Sequence, residues 1–257
     1  MMLSNHLMAL TAVIGLARAV LPARAAIPTK VNGADYNKPN AGPPAAWFSG
    51  DSSLPVSKVA AAAAKASKVP KDASYVLSEG SSKKATIHSD WAGFSKGAAY
   101  VFVADMDVDC DGLDYKCEGN PDGQDETNFG ALAAYEVPFV VIPDKFASEH
   151  SSELAGNNLV AVICGGKLYY GVFGDTDGDS PEEIGEASWL MARTCFPSEG
   201  LNGNNGHTPA DVTYIFFTGE NSVLPNSAIG NNYVTNFAAL KSLGDQLMKD
   251  LVGNLGL

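Results

Sequence analysis

The amino-acid sequence predicts a β-rich single domain, all-β or α+β, decorated with short helices. Three observations predict it. Short runs of branched and aromatic residues recur along the chain, separated by Gly, Asn and Asp turn signals. Turn formers are plentiful, with 26 glycines and 14 prolines in 257 residues. No internal repeat or linker divides the chain, and its length suits one domain with a sizeable core.

The elements follow in order. Residues 1–25 contain no acidic residue and carry an apolar run, Leu7 to Leu16, too short for a bilayer. They read as a secretory signal peptide, leaving residues 26–257 as a single catalytic domain. Small-residue cleavage patterns stand at Ala17-Arg18-Ala19 and Ala23-Arg24-Ala25, so cleavage after Ala17 or Ala19 is the earlier alternative. Residues 26–54, rich in Pro, Gly and Asn, predict an irregular lead-in. The alanine run between Val56 and Lys68, bounded by Pro55 and Pro70, predicts a helix. Strands are expected at Tyr100–Ala104, Tyr135–Ile142, Leu159–Cys164, Leu168–Phe173 and Val212–Phe217. Glu186 to Cys195 predicts a short helix with Ala187, Leu190 and Met191 on one face. From Val234 to Leu251, Phe237, Leu240, Leu243, Leu247 and Leu251 recur at helical spacing and predict a packing helix.

Composition removes several function classes. Apolar residues make up 46% and charged ones only 18%, which excludes disorder. Beyond the N-terminus no apolar stretch is long enough to span a bilayer, so no membrane partner is expected. A net charge of −12 without a basic stripe argues against nucleic acid. Loss of Arg18 and Arg24 with the signal takes the mature charge to −14 and leaves Arg193 as the one arginine. Nothing suggests an obligate partner, so a secreted, extracellular monomer is expected. In an oxidising compartment four cysteines imply two disulfides, and three pairings are open. The favoured one joins Cys110–Cys117 as a local staple and Cys164–Cys195 between a strand and the following helix.

Acidic residues cluster twice. Asp107, Asp109, Asp111, Gly112 and Glu118 satisfy the spacing of an EF-hand loop. The preceding YVFVADM reads as a strand, Asp114 takes a usually apolar position and cysteines bracket the loop, all against a true EF-hand. Calcium, a surface for a cationic substrate and a solvated acidic turn are the three readings of this cluster. The second cluster, GVFGDTDGDSPEEIGEASWLMA, carries Asp175 and Asp177 at a glycine turn and Glu186 at the next element. Paired carboxyls from adjacent elements are what glycoside hydrolysis needs, one to protonate the leaving oxygen and one to activate water. Acidic turns beside a helix N-terminus would give the same pattern without chemistry. HExxH, GxxxxGK[ST] and GxGxxG are absent, and His88, His150 and His207 are the only histidines past the signal. Trp47, Trp91, Trp189, Tyr169 and Tyr170 are candidate sugar platforms, Tyr170 foremost.

Across these segments the chain resembles the fungal chitosanases of glycoside hydrolase family 75. The resemblance runs from YNKPNAGPPAAWFSGDSSLP through VADMDVDCDGLDYKCEGNPDGQDETNF and VPFVVIP to YYGVFGDTDGDSPEEIGEASWLMA and VTYIFFTG. It implies a secreted endo-acting enzyme that cleaves β-1,4-linked glucosamine chains with inversion and without a cofactor. The family's essential carboxylates map to Asp177, with Asp175 as the other candidate, and to Glu186. On this reading Glu186 is the general acid and Asp177 the base. Asp175 positions water or binds an amine, and Asp107, Asp109 and Asp111 line the subsites. An acidic protein suits chitosan, a polycation when its amines are protonated. The order of strands and helices also resembles double-psi β-barrel proteins that act on or bind polysaccharides. The rival functions are a non-catalytic wall-binding or wall-loosening protein on such a barrel, and a calcium-dependent module around Asp107–Glu118.

Overall fold

Alternation and β-branching build most of the structure. The computed structural model describes residues 26–257, so the signal peptide expected at 1–25 lies outside the described residues. After the irregular lead-in come α1 (Val56–Ala63), β1 (Ser74–Val76), β2 (Lys84–Thr86) and β3 (Ala99–Asp109). Then follow β4 (Phe139–Pro143), α2 (Asp144–Glu149), β5 (Leu159–Cys164), β6 (Lys167–Asp177) and β7 (Glu186–Ser188). The chain ends with α3 (Trp189–Cys195), β8 (His207–Phe217) and α4 (Phe237–Leu255). Strands β1 and β2 form a small antiparallel pair, and the other six close into a barrel in the order β3-β7-β4-β6-β5-β8. Closure leaves no unpaired edge in the barrel, and the β-rich single domain is the expected one.

The core fills the barrel and its flanks. Strand β5 is buried along its whole length, and Phe102 stacks on Tyr214 at 4.8 Å and on Phe216 at 5.8 Å between centroids. Each such fully buried aromatic or aliphatic side chain stabilises the fold by about 1.5–3 kcal/mol. Helix α4 buries Leu240, Leu247, Met248 and Leu251. The Asn236 side chain caps it by accepting from the Ala239 N–H. Disulfides join Cys110 to Cys117 and Cys164 to Cys195, the favoured pairing.

Several segments differ from expectation, each for a visible reason. Helix α1 stops at Ala63, short of the expected run, and beyond it the Asp90 carboxylate accepts from the N–H groups of Ser67 and Lys68, which holds that stretch in a non-helical path. Tyr135 lies in a turn, and β4 begins only at Phe139. Strand β6 does not end before the glycine turn but continues through Asp175 to Asp177. Glu186 does not open a helix: it starts β7, and Ser188 caps α3 by accepting from the Met191 N–H. The final helix is long, 19 residues.

Candidate active site

The barrel register gathers the carboxylates. In the parallel pair β3·β7, Asp107 lies opposite Glu186 and Asp109 opposite Ser188. Strand β4 meets β7 at Val140–Ala187 and runs beside β6 with Val141 opposite Asp175 and Pro143 opposite Asp177. Paired residues of neighbouring strands share a face. Asp107 and Asp109, Glu186, Val141, and Asp175 and Asp177 therefore form one row across four adjacent strands. A bulge in β6 makes this possible. Val140 pairs with Phe173 but Val141 with Asp175, so Gly174 is an extra residue that turns the next side chains to the other face. A Cβ at Gly174 would sit 2.6 Å from the Phe139 Cβ, so only glycine passes here.

The row forms the floor of a cleft of about 560 Å³. Its walls add the loop after β3 (Asp111, Asn120, Asp122, Gln124), the turn after β6 (Asp179, Glu183) and Gly203. Asp107, Asp109, Asp111, Asp122, Asp175, Asp177, Asp179, Glu183 and Glu186 all line it, whereas among the described residues no Lys, Arg, His or aromatic residue does. The Cys110–Cys117 staple holds the segment that carries Asp111.

Hydrogen bonds distinguish the acids. Asp177 accepts from the Asp179 N–H at 2.8 Å with one oxygen and from the Glu183 N–H with the other, so it ties down the turn between them. Asp175, 5% exposed, accepts from Asn128 and Thr176 N–H groups on Oδ1. Asp109 accepts from the Asp111 N–H, and Asp111 from the Gln124 N–H. The carboxyl of half-buried Glu186 makes no hydrogen bond among the described residues.

Burial and mutual repulsion raise the pKa values of these groups and make them weaker acids. Burial first, then the charges of Asp109, Asp177, Asp107 and Glu183, hold the Glu186 carboxyl well above the usual range. Asp109 is also pushed well up, by burial and then Asp175. Burial lifts Asp175 to about 7 against its two backbone bonds. Asp177 is raised by burial, opposed by its bonds from Glu183 and Asp179. Glu183 reaches about 7 through burial and then the charge of Asp177, and Asp105 behind it reaches about 7 through burial and then Asp107.

Asp107, Asp109, Asp111, Asp175, Asp177 and Glu186 thus come together as anticipated in sequence. Tyr170 does not join them. Its ring is fully buried beneath Gly244 of α4 and its hydroxyl donates to Asp245 at 2.8 Å, so it is a packing residue and no sugar platform. The tryptophans likewise lie away from the cleft: Trp91 is buried, Trp47 packs on Tyr36 and Phe237, and Trp189 donates to the Pro39 carbonyl. The EF-hand reading of Asp107, Asp109, Asp111 and Glu118 also fails, because Asp107 and Asp109 belong to strand β3 and Glu118 does not line the cleft. The oxygens close enough to share one cation, within 4.8 Å of one another, belong to Asp109, Asp111 and Asp175.

Glu183, Asp122 and Asp179 were not singled out in sequence, though they sit in the acidic stretches around the residues that were. Their spacing looks like that of any solvated turn. A Gly-x-Ser-x-Gly match stands at Gly93–Gly97. It lies in a turn before β3, with no strand leading into it and no helix following, so it is not a nucleophile elbow.

Comparison with known proteins gives the family. Residues 106–250 match the fungal chitosanases of glycosyl hydrolase group 75. Endo-chitosanase C of Aspergillus oryzae is 65% identical over 228 residues, covering 89% of this chain and 60% of that protein. Endo-chitosanase B of the same species is 38% identical over 178 residues, and an endo-chitosanase of Aspergillus fumigatus 37% over 183. These span 61% and 63% of this chain, and 70% and 76% of those proteins. The chain thus spans only about 60% of the length of endo-chitosanase C. With the family match spanning more than half of its length and including every carboxylate of the cleft, the chain belongs to the fungal chitosanases of glycosyl hydrolase group 75.

Proposed function

We propose that this protein is a secreted endo-chitosanase that hydrolyses β-1,4 bonds between glucosamine units with inversion. The observation that carries the reading is the composition of the cleft: among the described residues, nine carboxylates, no cationic side chain and no aromatic ring. Neutral glycans such as chitin or a β-glucan are commonly held by stacking on aromatic faces, which this cleft lacks. A polymer of ammonium-bearing sugars is held by charge, and burial strengthens that attraction. The names of the similar Aspergillus proteins point the same way.

The two acids differ as the two roles require. Glu186 sits among carboxylates with no hydrogen bond to favour its anion, so it keeps its proton and delivers it to the leaving glycosidic oxygen. Asp177 is aimed by two backbone N–H groups that favour its charged form, and it takes the proton of the attacking water. They stand on β7 and β6 with β4 between them, and an inverting pair takes its water between two such carboxyls about 6.5–9.5 Å apart. Asp175, Asp109 and Asp111 hold a sugar ammonium. A non-catalytic wall-binding role would have no use for an unbonded, half-buried Glu186. Reducing-end release from deacetylated chitosan, with chitin and a β-glucan run beside it, tests the substrate class. Cleavage of the neutral polymers at a comparable rate would overturn it.

A further inference from the structure

His207 lies outside the row of carboxylates and does not line the cleft, yet it sits behind the loop whose Gly203 does. It opens β8 opposite Met106 of β3, and it is buried. Its ring lies on Phe196 with centroids 3.5 Å apart and planes 11° from parallel. Nδ1 is 2.9 Å from the Glu199 carboxylate and Nε2 is 3.0 Å from that of Asp211. Ionised carboxylates only accept, so both ring nitrogens must donate, and the ring that satisfies both partners is an imidazolium.

The two partners come from different segments. Glu199 belongs to the loop between α3 and β8. Asp211 belongs to an arch of β8, exposed residues 208–211, between Val212, which pairs with Ala104, and His207, which pairs with Met106. The loop clamped in this way forms one side of the cleft. Gly203 lines the cleft and donates its N–H to the Glu118 carbonyl at 3.0 Å. Gly206 lies so close over Asp107 that a Cβ there would overlap the Asp107 carboxylate. Asp107 in turn is the register partner of Glu186.

We infer that His207 is a positioning residue: as an imidazolium bridging Glu199 and Asp211 it pins the 196–206 loop, and so fixes the Gly203 wall and the Asp107 carboxylate for the sugar chain. The titratable groups around it are Glu199 from the loop, Asp211 from the arch, and Asp105 and Asp107 from β3, all acidic. Burial alone would lower the basicity of the ring; its bonds to Glu199 and Asp211 outweigh that and raise it above the usual histidine value. The clamp therefore holds while the ring is protonated and its two partners are ionised, and loosens as pH rises past that raised value.

This inference rests on the cleft being the chitosan site, and its test separates the two. His207→Gln and the milder Glu199→Gln are compared with wild type by steady-state kinetics on chitosan across pH. Amide hydrogen exchange at Gly203 and Gly206 and ring ¹⁵N NMR accompany the kinetics. The expected result is a KM raised about 3–10-fold with kcat within about two-fold, together with faster exchange at both glycines. The wild-type KM should climb at high pH while that of His207→Gln stays flat, and both ring nitrogens should carry protons at neutral pH. Wild-type KM and exchange in both variants, or a singly protonated ring, would overturn the clamp. If His207→Gln fails to fold, Glu199→Gln decides by the same readouts. An inactive wild type would sink the functional reading, and ring protonation with glycine exchange would still decide whether the clamp exists.

Discussion

Glu186 and Asp177 are both carboxylic acids in one cleft, but their surroundings make them respond differently to neutralisation. Glu186 has no hydrogen bond to lose, so Glu186→Gln should leave the fold and the turn intact while kcat falls by roughly 10²–10⁴. Asp177 accepts on both oxygens. An asparagine keeps one acceptor and sets an amide donor against a backbone N–H, so Asp177→Asn should lose activity and also free the 178–183 turn. Hydrogen exchange at Asp179 and Glu183 reads the difference: fast in Asp177→Asn, unchanged in Glu186→Gln. Equal exchange in the two variants would contradict the assignment of Asp177 as the anchor of the turn. A second buried acid acts on stability alone. Glu136 has no exposure, one oxygen accepts from Val234 N–H, the other has no partner among the described residues, and burial lifts its pKa from 4.5 to about 8. The folded protein holds a proton that the unfolded chain releases, so stability is greatest below about 4.5 and falls as pH rises toward 8. The fall is at most roughly 1.4 kcal/mol per pH unit. Glu136→Gln should flatten this slope in urea melts taken between pH 5 and 8; an unchanged slope would show that the Glu136 proton is not involved.

At the scale of elements, the bulge in β6 matters most, because one inserted glycine brings Asp175 and Asp177 to the same face as Glu186. Gly174→Ala puts a Cβ 2.6 Å from the Phe139 Cβ. It should cost about 1–3 kcal/mol as an overpacked core position and reduce activity further as the bulge shifts. A destabilised protein with full kcat would mean the bulge does not aim the acids. The sequence told some of this. The five longer strands, the terminal helix and both disulfides were legible because hydrophobic runs, turn residues and an oxidising context act locally. Strand β7 was not legible: EAS is three residues long, stands before a good helix former, and becomes a strand only because β3 and β4 offer it partners on both sides. The bulge escaped for the same reason, since a register is a property of two strands and GVFGDTD is one. Tyr170 misled because an aromatic in a strand reads alike whether it faces a cleft or a helix, and only α4 with Gly244 and Asp245 decides. Glu183 and Asp179 were hidden among turn acids whose convergence depends on barrel closure.

For the molecule as a whole, the proposed function makes charge, in place of aromatic stacking, the means of recognition. The chain carries 29 acidic against 17 basic residues, and nine of the acids meet in one cleft. Attraction of this kind reaches about one Debye length, roughly 8 Å at physiological salt and 3 Å at 1 M. Raising ionic strength should therefore increase KM for chitosan severalfold and leave kcat nearly unchanged, while a salt-independent KM would point to recognition by contact. The most direct test of the account is the cleavage itself, followed by reducing-end release and by ¹H NMR of the first anomers formed from soluble, largely deacetylated chitosan, wild type beside Glu186→Gln. The account predicts rapid chain shortening with α-anomeric products in wild type and a folded, inactive variant. β-Anomeric first products, or a Glu186→Gln enzyme that still cuts the polymer, would contradict it.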